Sequence, residues 1–190
     1  MKRAQIRYLV PAMIALLILP GCIVRSVHSW VKDDSIVFEE DLLGGWTGAA
    51  GDGENVAMTF VRGADNNYIV QYSDKESHGI FEGKLAKFGT DYYMDFRPKE
   101  GADGVDGMLL FPMHTVARLE IGSGQLSLSM LNYDALKSAA KLDRLRDLKF
   151  TWEEDELLIT SSSSDLERFL LGLGRDSKLY SEPIRLARRK

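Results

Sequence analysis

From residue 37 onward the chain consists of short runs in which apolar and polar residues alternate, separated by Gly, Asn and Asp. Because successive side chains of a strand point to opposite faces, this alternation predicts strands with one buried face. The links between the first runs are short enough for hairpins, so we expect neighbouring strands to pair antiparallel. The predicted strands cover residues 42–49, 55–61, 68–72, 79–88, 92–96, 109–111, 115–121 and 125–131.

After residue 131 the pattern changes to the period of amphipathic helices. Asn132 is a suitable N-cap for a helix from residue 133 to about residue 148. Farther along, Ser164-Asp165-Leu166-Glu167 matches a capping box, which predicts a second helix that ends near residue 172 or 174. Two helices are therefore expected in the C-terminal half.

Three further segments complete the predicted fold. Residues 149–160 predict a hairpin with an acidic turn, residues 178–187 predict a closing strand, and residues 97–107 predict a mobile loop. We expect an α+β fold: a mainly antiparallel β-meander, barrel-like or strongly curved, with two helices in its C-terminal half. One globular domain accounts for residues 37–190.

The N-terminus has a different pattern, in which a basic start precedes the apolar run 8–19 and the tetrapeptide Leu19-Pro20-Gly21-Cys22. Prolines interrupt the run, and it is shorter than the roughly 20 residues that a spanning helix needs. The order basic, apolar, small, cysteine resembles a bacterial lipoprotein signal. That resemblance implies removal of residues 1–21 and acylation of the Cys22 thiol, for example with palmitate. An ordinary signal peptide followed by a small buried cysteine is the alternative.

The lipoprotein resemblance implies a location in the cell envelope, with the lipid on Cys22 as the contact with the membrane. Ile23 follows the cysteine, where an aspartate resembles an inner-membrane retention signal, so the outer membrane is favoured in a Gram-negative host. Residues 22–36 mix apolar and polar residues without a clear period. We interpret this stretch as a tether between the lipid and the domain.

The charge of the chain argues against a nucleic-acid partner. The net charge is −4, and removal of the N-terminal segment would take away three basic residues and no acidic one. Acids and bases are interleaved along the domain, whereas binding to phosphate backbones needs clustered Lys and Arg. The C-terminal basic residues are interpreted as a solvated tail.

Candidate catalytic and metal-binding residues are few. The three histidines are His28, His78 and His114, and neither their spacing nor the single cysteine predicts a metal site. We interpret His114, at a predicted strand end, as a structural residue. The carboxylates of Glu82, Asp91, Asp95 and Glu120 lie in alternating runs, which indicates solvent-facing positions. No cofactor and no enzymatic activity is predicted.

Two short motifs resemble those of the lipocalin-like barrels, namely Gly44-Gly45-Trp46 and Thr90-Asp91-Tyr92. In that family the tryptophan closes the barrel floor and a basic residue of the last strand packs over it. The resemblance therefore implies that Arg185 or Arg188 covers Trp46 in this chain.

The leading hypothesis is a non-enzymatic, membrane-anchored envelope lipoprotein that binds a partner, such as another envelope protein, or supports an envelope structure. A second hypothesis, a carrier of a small apolar ligand, predicts an open barrel. Its expected interior lining is Trp46, Met58, Phe60, Tyr68, Phe81, Tyr93 and Phe96. A third is an envelope hydrolase that uses His114 and an acidic residue.

Overall fold

The computed structural model describes residues 23–49, 53, 55–75, 77–99, 113–173 and 177–189. The strands are β1 (Arg25–Ser26), β2 (Gly44–Ala49), β3 (Asn55–Arg62), β4 (Tyr68–Ser73), β5 (His78–Phe88), β6 (Asp91–Pro98), β7 (Thr115–Gly122), β8 (Gln125–Met130), β9 (Phe150–Glu153), β10 (Glu156–Ile159) and β11 (Ile184–Arg188). The helices are α1 (Tyr133–Lys141) and α2 (Ser163–Gly172), with single 3-10 turns at Asp33–Ser35 and Glu40–Leu42.

Eight of these strands form a closed barrel in the order β11-β2-β3-β4-β5-β6-β7-β8. Strands β2 to β8 pair with their sequence neighbours in antiparallel register, and β11 returns to close the barrel between β8 and β2. The predicted α+β fold, with an antiparallel meander, barrel closure and two helices in the C-terminal half, is confirmed.

The interior of the barrel is filled by the alternate side chains of its strands. Several of these side chains are at most 1 % exposed, and such low values leave no space beside them for a water molecule. Even the inward side of Gly83 is crowded, since a Cβ atom there would lie 3.0 Å from Met94 Sδ. The most deeply buried interior residues are Leu42, Trp46, Phe60, Tyr68, Val70, Leu85, Met94, Ala117, Leu119 and Leu126.

A second apolar core lies outside the barrel, against the outer faces of β6 and β7. The helices and a three-stranded sheet, in the order β1-β10-β9, cover this wall. Strand β1 pairs parallel with β10, and β10 pairs antiparallel with β9. The centre of this core is formed by Trp30, Tyr93, Val116, Leu136, Ile159, Leu166 and Leu170.

The predicted tether is wrong over its described part, residues 23–36. Trp30 is fully buried and Val31 is 1 % exposed, and both follow the paired strand β1. The segment has no clear period because it alternates irregularly between contacts with the small sheet and contacts with the barrel wall. Periodicity detects strands and helices, and it misses a chain that packs in an irregular conformation.

Three element boundaries differ from the prediction. The first helix ends at Lys141 and not near residue 148, because the chain turns at Asp143, whose φ is 54°. Leu145 and Leu148 are nevertheless buried, so their apolar spacing reflects core contacts made from turns. Strand β11 begins at Ile184, later than expected. The predicted strand 109–111 and most of the predicted loop 97–107 lie outside the described residues, and residues 97 and 98 extend β6.

The capping box predicted at Ser164 is also wrong, since the second helix starts two residues earlier. Ser162 is the N-cap, and its hydroxyl accepts a hydrogen bond from the Asp165 backbone N–H. Glu167 lies with its carboxylate toward the N-terminal segment, where it accepts the Lys32 backbone N–H at 2.8 Å. Four consecutive serines, Ser161 to Ser164, span the start of this helix, and only the cap geometry distinguishes among them.

Candidate functional site

One end of the barrel is closed by Trp46, as the motif resemblance implies. Trp46 is fully buried and its indole N–H donates to the Leu42 carbonyl at 2.9 Å. The Arg188 guanidinium lies 4.4 Å from the centre of the indole ring and donates to the carbonyls of Leu43, at 2.7 Å, and Asp41. Arg188, and not Arg185, therefore covers the tryptophan, so at this position the basic C-terminus is not a solvated tail.

Gly44 allows the Arg188 side chain to approach the backbone closely at this end of the barrel. Its φ of 107° is a conformation that favours glycine, and a Cβ atom there would lie 3.3 Å from Arg188 Nη1. The glycine of the Gly-x-Trp motif thus lets the turn before β2 bend beneath the guanidinium.

Tyr68 closes the same end of the barrel from the β4 side. Its hydroxyl donates to the Glu39 carbonyl at 3.0 Å and accepts the Glu39 N–H at 2.7 Å. Its ring stacks on Phe38 with centroids 4.7 Å apart, and Arg62 covers the other side of Phe38. Burial raises the pKa of Tyr68 to about 12. The residues before β2 therefore form a tightly bonded plug.

Four of the five residues predicted to bind a ligand belong to the interior of the barrel. Trp46, Phe60 and Tyr68 are buried there, and the partly buried Phe81 packs against the interior cluster, with its ring 6.3 Å from that of Phe96. Tyr93 is the exception, and its assignment to the interior is wrong. Its ring lies in the outer core, 5.5 Å from that of Phe88.

The period of a strand explains this error. On β6, Tyr92, Met94 and Phe96 contact the interior cluster, so the residues between them face outward. Tyr93 and Phe96 are an odd number of residues apart and cannot both line one face of a regular strand.

A polar cleft of about 410 Å³ lies on the outer wall of β5 and β6. Larger and more open clefts over β2–β3 and over β8–β11 have mixed linings of small, polar, charged and apolar residues. The lining of the polar cleft comes from the N-terminal segment, the β3–β4 hairpin, the strands β5 and β6, and the residue before β7. Its lining residues are Asp33, Ile36, Asp65, Asn67, Glu82, Lys84, Asp95, Arg97 and His114.

At the base of this cleft the Asp95 carboxylate is buried, with 1 % of its surface exposed. It accepts the Trp30 backbone N–H at 2.9 Å and lies 3.1 Å from the Ser29 hydroxyl. His114 Nδ1 lies 2.8 Å from the same carboxylate. The interpretation of Asp95 as solvent-facing is wrong, because the N-terminal segment covers that face of β6.

Ser29, Asp95 and His114 do not form a nucleophilic triad. A triad needs the serine hydroxyl on the imidazole, with the carboxylate on the far side of the ring. Here Ser29 Oγ contacts the carboxylate and the Val31 carbonyl, 2.7 Å away. The arrangement ties the N-terminal segment to the barrel wall, and it leaves Nε2 of His114 for groups in the cleft.

Four further charges of the cleft form two ion pairs. Lys84 donates to Asp33 at 2.7 Å, and this hydrogen bond lowers the pKa of Asp33. Arg97 donates to Glu82 at 2.6 Å. Asn67 donates to the same glutamate at 2.8 Å, while its buried Oδ1 has no partner within the described residues. The cleft therefore offers a hydrogen-bond acceptor and an imidazole between paired charges.

Little in the sequence predicts this cleft. Asp95 on β6 and His114, the residue before β7, are 19 positions apart in the sequence, and neither belongs to a recognisable motif. The only signal is a carboxylate among the apolar and aromatic residues from Tyr92 to Phe96, of which the four from Tyr93 to Phe96 are buried.

Within the described residues, no group of three or more His, Cys, Asp or Glu side chains is placed to hold a metal ion. Neither helix of the described part is long and apolar enough to cross a bilayer. Cys22 lies outside the described residues. Comparisons with protein-family models, curated proteins and solved structures find no match to this chain.

Proposed function

We propose that this chain is a non-enzymatic lipoprotein of the cell envelope, held on the membrane through Cys22, whose barrel acts through its outer surface. The observation that carries the proposal is the filled barrel interior. Phe60, Val70 and Leu85 are at most 1 % exposed in the middle of the barrel. Binding of an envelope partner, or support of an envelope structure, then falls to the outer wall, where the polar cleft lies.

The anchor rests on the sequence Leu19-Pro20-Gly21-Cys22 and is tested by replacing its sulfur. Two or more acyl chains would hold the protein stably, where a single chain is marginal. We expect wild-type protein to remain in the membrane fraction after a high-salt wash and Cys22→Ser to be lost from it. Intact-mass measurement of native protein should find acylated Cys22 as the first residue. An unmodified Cys22, or membrane retention of Cys22→Ser, would refute the anchor.

A lipocalin-like carrier is the second candidate, and the floor of the barrel is the observation that favours it. The Trp46–Arg188 contact is the arrangement that the resemblance implies. Native mass spectrometry of the domain purified from its own host distinguishes the two candidates. A copurifying apolar molecule, or saturable uptake of a fluorescent fatty acid, would favour the carrier. Their absence would favour action through the outer surface.

An envelope hydrolase remains the third candidate, and the contact between Asp95 and His114 is its only support. A buried carboxylate that orients an imidazole is the pairing used in general-base catalysis. Hydrolysis of ester probes that is lost in His114→Ala and kept in His78→Ala would favour this candidate. The same low rate of ester hydrolysis in the wild type, His114→Ala and His78→Ala would rule out the hydrolase.

A further inference from the structure

The folded body of this protein begins one residue after the proposed lipid attachment site. Ile23 forms an isolated β-bridge with Asn132, and Val24 is 2 % exposed. Ser26 then exchanges two backbone hydrogen bonds with His114, each 2.9 Å long. Between Ile23 and Trp30 only His28 is exposed, so these residues contain no run of exposed positions that could act as a flexible spacer.

This placement fixes the distance between the fold and a lipid on Cys22. Neighbouring Cα atoms are about 3.8 Å apart, so an acylated Cys22 brings the bilayer within a few ångströms of Ile23. Because no flexible spacer separates Cys22 from the fold, the part of the surface that surrounds Ile23 must lie against the lipid headgroups.

The register of the small sheet identifies that part of the surface. Arg25 lies opposite Leu158 in the parallel β1–β10 pair, so the chain before Arg25 runs toward the start of β10. The ion pair between Arg25 and Glu156 lies at the same end. The turn Glu154–Asp155, which joins β9 to β10, is next to this point. We call Ile23, this turn and Trp152 on β9 the anchor end of the molecule.

The side chains of the anchor end suit a membrane interface. Ile23 is 52 % and Trp152 is 40 % exposed, so both apolar side chains are available to a membrane at this end of the molecule. Trp152 lies two strands from β1, or about 10 Å across the sheet. The Lys141 ammonium lies 5.7 Å from the Trp152 ring centre. An amphipathic aromatic ring beside a lysine is typical of the headgroup region.

The acidic residues of the turn are compatible with this contact. Asp155 lies 3.3 Å from the Lys137 ammonium and 3.5 Å from that of Lys141. The hydrogen bond from Lys137 lowers the pKa of Asp155. Because these two lysines offset the charge of Asp155, the repulsion of the turn from phosphate groups is reduced.

We propose that the anchor end rests on the phospholipid surface, with Ile23 and Trp152 in the interface and no spacer between lipid and barrel. The proposal depends on acylation of Cys22, the anchor proposed above. It places the barrel at a fixed orientation beside the bilayer, whereas a tether would leave the barrel free to rotate.

Tryptophan fluorescence tests this orientation, because Trp30 and Trp46 are fully buried and only Trp152 is exposed. Native acylated protein is reconstituted into phosphatidylcholine vesicles with brominated acyl chains, which quench indoles at the interface. We expect quenching relative to unbrominated vesicles in the wild type and its loss in Trp152→Phe. Equal emission from wild type in both kinds of vesicle would overturn the proposal.

A pair of thiol labels gives an independent readout, since Cys22 is the only cysteine and its sulfur is acylated in this material. Glu154→Cys and Asn66→Cys are matched, because both are exposed turn residues with positive φ. Asn66 lies in the β3–β4 hairpin, at the floor end of the barrel. Bromolipid should quench a bimane dye at residue 154 and spare one at residue 66.

Intact-mass measurement before reconstitution separates the two possible failures. Protein without acyl chains would overturn both the anchor and the orientation. Acylated protein in which both bimane labels respond alike, or in which Trp152 is unquenched, would overturn the orientation alone and restore a flexible attachment.

Discussion

Arg188 stabilises the barrel floor through contacts that a neutral side chain cannot make. It covers the Trp46 ring and donates to two carbonyls that precede β2. Because Arg188 itself is largely exposed, we expect Arg188→Met to lower the free energy of unfolding by only about 1 to 2 kcal/mol in urea titrations. Arg185→Met is the matched control, since Arg185 is exposed on the same strand and should change stability by less than about 0.5 kcal/mol. Equal effects of the two changes would contradict the assigned floor contact.

Asp95 is the residue on which the contact between the N-terminal segment and the barrel depends. Asp95→Asn keeps the size of the side chain but replaces an acceptor oxygen by an NH₂ group facing the donors at Trp30, Ser29 or His114. We expect a loss of about 2 kcal/mol in the free energy of unfolding. Glu120→Gln, at an exposed position of β7, should have almost no effect. If Asp95→Asn left the free energy of unfolding unchanged, the charge of Asp95 would contribute nothing to stability.

Because the hydroxyl of Tyr68 is buried, we expect the stability of the protein to change with pH in the alkaline range. Its pKa is raised from 10.0 to about 12 in the folded protein. Between these values the unfolded chain has released the proton and the folded chain still holds it, so the free energy of unfolding falls as pH rises. We expect the contribution to be full below about pH 10 and lost by about pH 12. Urea titrations across this range should give a shallower pH slope for Tyr68→Phe; identical slopes would contradict the assignment.

The residues of the two sites differ in how far the sequence could reveal them. The floor was predictable, because Gly44 and Trp46 form a local motif whose basic partner could be narrowed to two arginines. The polar cleft was not, because Asp95 acquires its burial from a segment that is distant in sequence. Alternation along β6 could have excluded Tyr93 from the interior, once Phe96 was assigned to it.

Among the elements, α2 provides a direct test of the corrected cap. Ser162 accepts the Asp165 N–H, whereas Ser164 is already inside the first turn of the helix. We expect Ser162→Ala to reduce the free energy of unfolding by about 1 kcal/mol and Ser164→Ala to change it by less than about 0.5 kcal/mol, measured by urea denaturation. The reverse order would restore the capping box at Ser164.

Strands were easier to locate from the sequence than helix ends were. The strand boundaries from β2 to β8 differ from the predicted runs by a few residues, because each strand has one face toward an apolar core. The length of helix α1 was overestimated because Leu145 and Leu148 continue the apolar spacing of a helix after the helix has ended. Burial sets that spacing, and the backbone can satisfy it with turns as well as with a helix.

At the scale of the whole molecule, the two cores share one wall. Strand β6 presents Met94 to the barrel interior and Tyr93 to the outer core, so loss of packing on one side affects the other. The N-terminal segment completes the outer core with Trp30 and caps Asp95. A segment without periodicity is thus as much a part of the fold as any strand.

The strongest test of this architecture is to treat the N-terminal segment as core. Trp30 is fully buried, so Trp30→Ala should lower the free energy of unfolding by about 3 kcal/mol or more. His28, two residues earlier, is exposed, and His28→Ala should cost less than about 0.5 kcal/mol. Urea titrations of both variants decide between a packed segment and a tether, because a tether would tolerate the two changes equally. A large, selective loss at Trp30 would also mean that any anchor at Cys22 is attached directly to the folded body.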